Sequence, residues 1–116
     1  MQQPRFHIIC DLSGCNGNIS DPAKVREFLE GLVKKVDMSI LEGPIITEGQ
    51  PDNPGVTGLV IIDFSHISCH TFTKYNEALI DIFSCKFFER NPVVDYCCEF
   101  FGADRQNARI KEVWWG

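Results

Sequence analysis

Residues 58–72 read Gly-Leu-Val-Ile-Ile-Asp-Phe-Ser-His-Ile-Ser-Cys-His-Thr-Phe, and they contain two of the segments that decide the fold. The run from Gly58 to Phe64 is almost continuously apolar, which is typical of a central β-strand that is covered on both faces. Residues 67–72 predict a second strand and residues 78–83 a third. The centre of the protein is therefore predicted to be a β-sheet.

The N-terminal part predicts a strand followed by a helix. Residues 6–12 alternate as a strand does, with Phe6, Ile8, Cys10 and Leu12 on one face and His7, Ile9 and Asp11 on the other. Ser20-Asp21-Pro22 indicates a helix start, because a capping side chain precedes a proline at the first helical position. The apolar residues behind it recur at helical spacing: Val25, Phe28, Leu29, Leu32, Val33 and Val36. Residues 38–46 can form another strand, and the turn formers in residues 48–55 predict a loop.

The C-terminal part predicts a second helix and a last strand. Asn91-Pro92 would begin the helix, which carries Val94, Cys97, Cys98 and Phe101, and Gly102 would end it. Residues 108–115 close the chain as a strand. This order predicts an α+β two-layer sandwich, an antiparallel-rich sheet with two helices on one face. Trp114, Trp115 and the phenylalanines indicate a homodimer in which a second copy covers the other face.

Size and charge restrict the class of protein. A chain of 116 residues with 44% hydrophobic content fits a single domain over residues 1–116. A net charge of -5 does not favour binding to nucleic acid or to an anionic membrane, either of which would need a basic patch. Without a signal pattern or a membrane-spanning apolar run, a cytoplasmic protein is expected. The six cysteines are then expected to be reduced thiols, and the lack of a Cys-x-x-Cys spacing argues against structural zinc.

Two segments combine a hydroxyl, an imidazole and a thiol. Residues 65–71 read Ser-His-Ile-Ser-Cys-His-Thr, and residues 81–85 read Asp-Ile-Phe-Ser-Cys. The pair resembles the self-processing region of the short prokaryotic S-adenosylmethionine decarboxylases, in which Ser-His-(Ile/Leu)-(Ser/Thr)-x-His-Thr precedes Asp-x-Phe-(Thr/Ser)-Cys by the same interval. Residues 7–15 resemble that family's first strand, and residues 56–62 resemble its Val-Ser-Gly strand. Most of the chain aligns with the family without large gaps.

The resemblance implies an enzyme that makes its own cofactor. It implies cleavage between residues 64 and 65 and conversion of Ser65 into a pyruvoyl group, which forms a Schiff base with a substrate amine and accepts the electrons that departing carboxylate leaves. It also implies that His70 promotes processing, that the Thr57 hydroxyl assists it, and that Cys85 returns a proton to the carbanion. The expected activity is that of a pyruvoyl-dependent carboxy-lyase of polyamine-type metabolism, acting on a small amino-acid-type substrate.

Several positions depart from the family pattern near the processing site. Phe64 stands where the family has glutamate before the processed serine, and Lys86 stands where the family has glycine after the cysteine. Only the carbonyl of residue 64 enters the processing chemistry, so cleavage is compatible with Phe64. Asp11 replaces a glutamate of the first strand.

Other departures concern the substrate. The loop of residues 48–55 contains no aromatic residue to stack on adenine, and Lys74 stands where the family has a glutamate that contacts ribose. A lysine cannot accept the hydrogen bonds that ribose hydroxyls donate. These differences favour arginine or ornithine over S-adenosylmethionine. A basic substrate needs a carboxylate, for which Asp11, Asp63 and Glu77 are candidates, although each could equally be a solvated strand residue.

Three alternatives stay open at this point. The chain could be an unprocessed pseudoenzyme that acts as a binding or regulatory subunit, or an unrelated small-ligand module of ferredoxin-like topology. The third alternative is a metal site on His66 and His70, which would share a strand face, but no third metal ligand is evident.

Strict alternation would place Ser65 and His70 on opposite faces, so the family interpretation requires Ser65 to lie at a bend or a chain end. A core role is expected for four cysteines: Cys10, Cys69, Cys97 and Cys98.

Overall fold

The computed structural model describes residues 3–115 and shows one antiparallel sheet beneath two helices. The strands are β1 (Arg5–Leu12), β2 (Ile40–Glu48), β3 (Val56–Ile62), β4 (Ser65–Phe72), β5 (Glu77–Ser84) and β6 (Arg109–Trp115). The helices are α1 (Pro22–Lys35) and α2 (Arg90–Phe101). The sheet order is β2-β3-β4-β5-β1-β6, and every neighbouring pair is antiparallel. The predicted α+β two-layer sandwich is confirmed.

Helix α1 begins and packs as its sequence predicts. The Asp21 carboxylate accepts a hydrogen bond from the Ala23 N–H at 2.9 Å, and Pro22 occupies the first turn. The whole predicted apolar stripe is buried, at 2% exposure or less: Val25, Phe28, Leu29, Leu32, Val33 and Val36. The Tyr96 hydroxyl of α2 donates to the Phe28 carbonyl at 2.9 Å and joins the two helices.

Helix α2 ends at Phe101 and is capped by Gly102, whose φ of 65° is left-handed and suits glycine at a helix C-terminus. The helix begins one residue earlier than predicted, at Arg90. All six cysteines are free thiols, and the four that were expected in the core are buried there: Cys10, Cys69, Cys97 and Cys98. Burial raises the pKa of the Cys69 thiol to about 12, which keeps it protonated at neutral pH.

The helices cover only one face of the sheet, and this corrects the prediction for β3. Val56, Gly58, Val60 and Ile62 are buried at alternate positions, whereas Leu59 and Ile61 between them remain 39% and 40% exposed. Coverage of this strand on both faces is therefore wrong for the single chain. The run is apolar at every position, so alternation in the sequence could not show that only one face has an intramolecular cover.

We call the uncovered side of the sheet the open face. The alternation of buried and accessible positions in the four strands β1, β3, β4 and β5 assigns at least twelve residues to it. They include His7, Ile9, Asp11, Thr57, Leu59, Ile61, His66, Ser68, His70, Leu79, Asp81 and Phe83. No helix among the described residues is both long and apolar enough to span a membrane.

Candidate active site

Ser65 lies where a hairpin turn joins β3 to β4. Ile62 pairs with Ser65, so Asp63 and Phe64 form the turn and Ser65 is the first residue of β4. Its φ is 149°, a backbone region in which residues other than glycine are rare. Such a conformation costs about 1–3 kcal/mol and persists only where the surroundings impose it. The structure thus places Ser65 at a strand end, as the family interpretation requires.

Hydrogen bonds from two sides hold this turn. The Cys85 N–H donates to the Phe64 carbonyl at 2.9 Å. On the other side, the Asp63 N–H donates to the Ser39 carbonyl at 3.0 Å, and the Ser39 N–H donates to the Asp63 carboxylate at 3.1 Å. The Phe64 carbonyl is the group that the Ser65 hydroxyl would attack. A donor that is already in place on this oxygen can stabilise the negative charge that develops there.

Cys85 follows the last residue of β5 and lies beside Ser65. Ser84 pairs with Ser65 across the two strands, so the next residue reaches the turn. The Ser84 side chain is buried and fixes the chain beyond it, because its hydroxyl donates to the Lys86 carbonyl at 2.7 Å and accepts from the Lys86 N–H at 2.9 Å. The Cys85 thiol belongs to a half-buried residue. We call this region of the sheet the Ser65 end.

Thr57 and His70 form a second group of polar side chains. They pair across β3 and β4, and the Thr57 Oγ1 lies 3.0 Å from the His70 Nδ1 on the open face. His70 is five residues along β4 from Ser65, a separation of roughly 16 Å at about 3.3 Å of rise per residue. The structure therefore brings Ser65 and Cys85 together, and Thr57 and His70 together, but it does not bring the two pairs together within one chain. We call the second region the His70 end.

The candidate substrate carboxylates differ in how they are already engaged. Asp11 forms an ion pair with Arg109, and the Asp63 carboxylate accepts the Ser39 hydrogen bond. Glu77 begins β5 opposite Phe72 and has no ion pair within residues 3–115. Asp11 and Glu77 both lie near the His70 end.

The other substrate-side positions lie near the His70 end as well. The Lys74 ammonium donates to the Asp52 carbonyl at 3.4 Å and so contacts the loop that lacks an aromatic residue. Thr73 reaches the same loop, because both its N–H and its hydroxyl donate to the Pro54 carbonyl, at 3.2 and 3.1 Å.

Two further histidines lie on the open face. The His66 ring stacks on Phe83 at 5.6 Å between centroids, and the described residues contain no group of three or more side chains that could hold a metal. The His7 Nε2 lies 2.7 Å from the Asp81 Oδ1. This pair was not predicted, because its members are 74 residues apart and meet only through the pairing of β1 with β5. No local pattern in the sequence connects the two residues.

Comparisons with known proteins show which family the chain is similar to. The family model described as S-adenosylmethionine decarboxylase matches residues 6–113. An S-adenosylmethionine decarboxylase proenzyme of Pyrococcus horikoshii is 33% identical over 109 residues, which cover 92% of this chain and 75% of that protein. A proenzyme of the same name from Pyrococcus furiosus is 35% identical over 111 residues, which cover 93% and 76%. The crystal structure of the adenosylmethionine decarboxylase from Aquifex aeolicus matches with a TM-score of 0.74 at 26% identity, covering 99% of this chain and 91% of that one.

Proposed function

The chain belongs to the S-adenosylmethionine decarboxylase family, and on that premise we propose that it is a self-processing, pyruvoyl-dependent decarboxylase with one domain over residues 1–116. The observation that carries the proposal is the state of Ser65. A serine with a φ of 149° follows a carbonyl that already accepts a hydrogen bond from the Cys85 N–H. Strained backbone of this kind is concentrated at functional sites.

Self-cleavage would begin with the Ser65 hydroxyl attacking the Phe64 carbonyl. The C–N bond of the peptide breaks as the C–O bond of an ester forms, which frees the Ser65 amine and releases backbone strain. A base then removes the Ser65 α-proton, and the C–O bond to the side chain breaks so that residues 1–64 leave as a carboxylate. Water hydrolyses the resulting dehydroalanine, ammonia leaves, and a pyruvoyl ketone remains on residue 65. The Cys85 N–H would stabilise the charged oxygen of the first step.

The family resemblance gives the role of base in these proton transfers to His70, which lies roughly 16 Å along β4 from Ser65 of the same chain. We propose a homodimer whose open faces pack together about a two-fold axis that lies in the interface and runs across the strands. This axis reverses the strand direction, so that His70 and Thr57 of one chain face Ser65 and Cys85 of the other. Exposed Leu59 and Ile61 would be buried in the interface. The Thr57–His70 hydrogen bond would then orient the imidazole toward the partner subunit's Ser65.

Decarboxylation would use the same composite site. A pyruvoyl group would supply an electrophilic ketone that takes up a substrate amine and accepts the electron pair left by carbon dioxide. The Ser65 end fits a pyruvoyl group, because the Cys85 N–H fixes the backbone before Ser65 and the Cys85 side chain carries a free thiol. The Cys85 thiol would donate the proton that replaces the carboxylate.

We propose arginine or ornithine as the substrate rather than S-adenosylmethionine, the substrate in the names of the relatives. Lys74 and the non-aromatic loop of residues 48–55 offer neither a carboxylate for ribose hydroxyls nor a ring for adenine. The proposed dimer carries Glu77 of the partner subunit toward the Ser65 end. Its carboxylate forms no ion pair among residues 3–115 and could there bind a cationic side chain. Measuring the amine product from each of the three compounds tests this choice. Turnover of S-adenosylmethionine alone would contradict it.

Denaturing mass spectrometry of the purified chain tests the proposed function. Cleavage yields one fragment of residues 1–64 and one of residues 65–116, the second with a carbonyl in place of its amine. Reaction with a hydrazine probe should add mass to the second fragment only. A chain that stays intact and unreactive would contradict self-processing and would support the pseudoenzyme alternative.

A further inference from the structure

Lys86 has its ammonium group directly against the residue that precedes the cleavage site. Its Nζ lies 5.3 Å from the centroid of the Phe64 ring, over the face of the ring. The same ammonium donates to the Asp37 carbonyl at 2.9 Å and lies 3.8 Å from the Asp37 carboxylate. One side chain therefore connects the segment after α1 to the hairpin turn that carries Phe64.

The backbone around Lys86 is fixed as well. The buried Ser84 hydroxyl bonds to both the N–H and the carbonyl of Lys86, at 2.9 and 2.7 Å. Between these residues, the Cys85 N–H donates to the Phe64 carbonyl at 2.9 Å. The segment of residues 84–86 thus holds Phe64 twice, through its carbonyl and through its ring.

Both members of this contact are departures from the family pattern. Phe64 replaces a glutamate, and Lys86 replaces a glycine that has no side chain to reach the turn. An ammonium over an aromatic face is attractive, and here it joins the two altered positions. The contact therefore joins two altered positions beside the scissile peptide.

We propose that Lys86 is a positioning residue for self-cleavage, which acts by holding the ring of Phe64 so that the scissile carbonyl stays on the Cys85 N–H. The inference rests on the proposed function and adds to it a residue that the family pattern does not assign. Lys86 does not touch the reacting atoms. Its loss lets the turn of residues 63–65 relax away from the strained Ser65 conformation.

The cleavage rate of freshly synthesised chain, followed by denaturing mass spectrometry, tests this role. Lys86→Met keeps the length of the side chain and removes its charge, and we expect cleavage to slow about fivefold, the upper end for an exposed cation–π contact. Lys86→Arg should restore the rate. Phe64→Leu should slow cleavage by a similar factor, and the Phe64→Leu/Lys86→Met pair no further, because each change breaks the same contact. Lys34→Met on α1 is the matched control and should cleave as the wild type does.

A second measurement separates this role from the proposed function. In the uncleavable Ser65→Ala chain, hydrogen exchange of the Cys85 amide reports its bond to the Phe64 carbonyl. Adding Lys86→Met should speed this exchange about fivefold, whereas adding Lys86→Arg should not. If the wild type does not cleave, the proposed function fails and the exchange result still decides the role of Lys86. Unchanged exchange, or wild-type cleavage by Lys86→Met, overturns the proposal.

Discussion

At the scale of the residue, Ser65 differs from every other described position. Three described residues other than glycine have a positive φ. Asp37 at 58° and Asn76 at 54° lie in the small left-handed region that aspartate and asparagine tolerate. Ser65 at 149° lies outside it, in a region that suits glycine. The backbone strain therefore lies at the residue that the proposed self-cleavage would convert.

The strain at Ser65 can be measured with two uncleavable variants. Both Ser65→Ala and Ser65→Gly remove the nucleophile, so both chains should stay at full mass. Only glycine relieves the backbone, and we expect Ser65→Gly to be more stable than Ser65→Ala by about 1 kcal/mol. Urea unfolding of the two proteins gives the difference. Equal stabilities would show that residue 65 relaxes in the intact chain and that no strain is stored there.

Cys85 should separate processing from turnover. Cys85→Ala keeps the backbone N–H that bonds to the Phe64 carbonyl, so cleavage should proceed. It removes the proposed proton donor, and decarboxylation should fall about 100-fold, the low end for loss of a general acid, or release a misprotonated product. Cys15→Ala, at a thiol whose pKa burial raises to about 11, is the control and should turn over normally. Full turnover by Cys85→Ala would remove this role from the thiol.

At the scale of the element, local sequence predicted most of the structure. Asp21 and Pro22 place the start of α1, and Gly102 places the end of α2, because caps are decided by residues at the helix end itself. The contact between Thr57 and His70 was harder to predict from the sequence. It follows from a two-residue turn at Asp63 and Phe64, and a shift of one residue would have sent both side chains to the other face.

Pairings between distant strands left no local signal at all. β1 lies between β5 and β6, and this topology brings His7 to Asp81 and Asp11 to Arg109. The separation of Ser65 from His70 could have been inferred from the sequence, because five residues of any strand span roughly 16 Å. What the sequence could not give was the strand end and the unusual φ at Ser65, which depend on contacts from Ser39 and Cys85.

The buried hydroxyl of Thr71 joins β4 to its surroundings near the His70 end. It donates to the Ile19 carbonyl at 2.7 Å and accepts from the Val56 N–H at 2.8 Å. Thr71→Val leaves both groups unsatisfied, and we expect it to lower the free energy of unfolding by about 2–4 kcal/mol. Thr71→Ser keeps both hydrogen bonds and should lose less than half as much. Urea unfolding in the uncleavable Ser65→Ala background compares them, and equal losses would contradict the assignment.

At the scale of the whole molecule, polar groups lie at both ends of the central strands, and the open face has apolar residues between these ends. Ser65 and Cys85 lie at one end and Thr57 and His70 at the other, with exposed Leu59 and Ile61 in the middle. A two-fold axis across the strands would bring the Ser65 end of one chain opposite the His70 end of the other. The apolar residues in the middle of the two chains would then face each other. A single apolar contact would then complete two sites at once, which neither chain can form alone.

Complementation between two inactive variants tests this shared site. Ser65→Ala lacks the nucleophile but keeps the Thr57–His70 pair, and His70→Ala lacks the imidazole but keeps Ser65. When they are expressed together, the His70→Ala chain should be cleaved in mixed dimers, because the partner subunit's His70 reaches its Ser65. In a random mixture about half of the dimers are mixed, so about half of the His70→Ala chains should be cleaved. A Ser65→Ala/His70→Ala chain as the partner should give none. Cleavage of His70→Ala alone, or none in the mixture, would show that His70 does not act across the dimer.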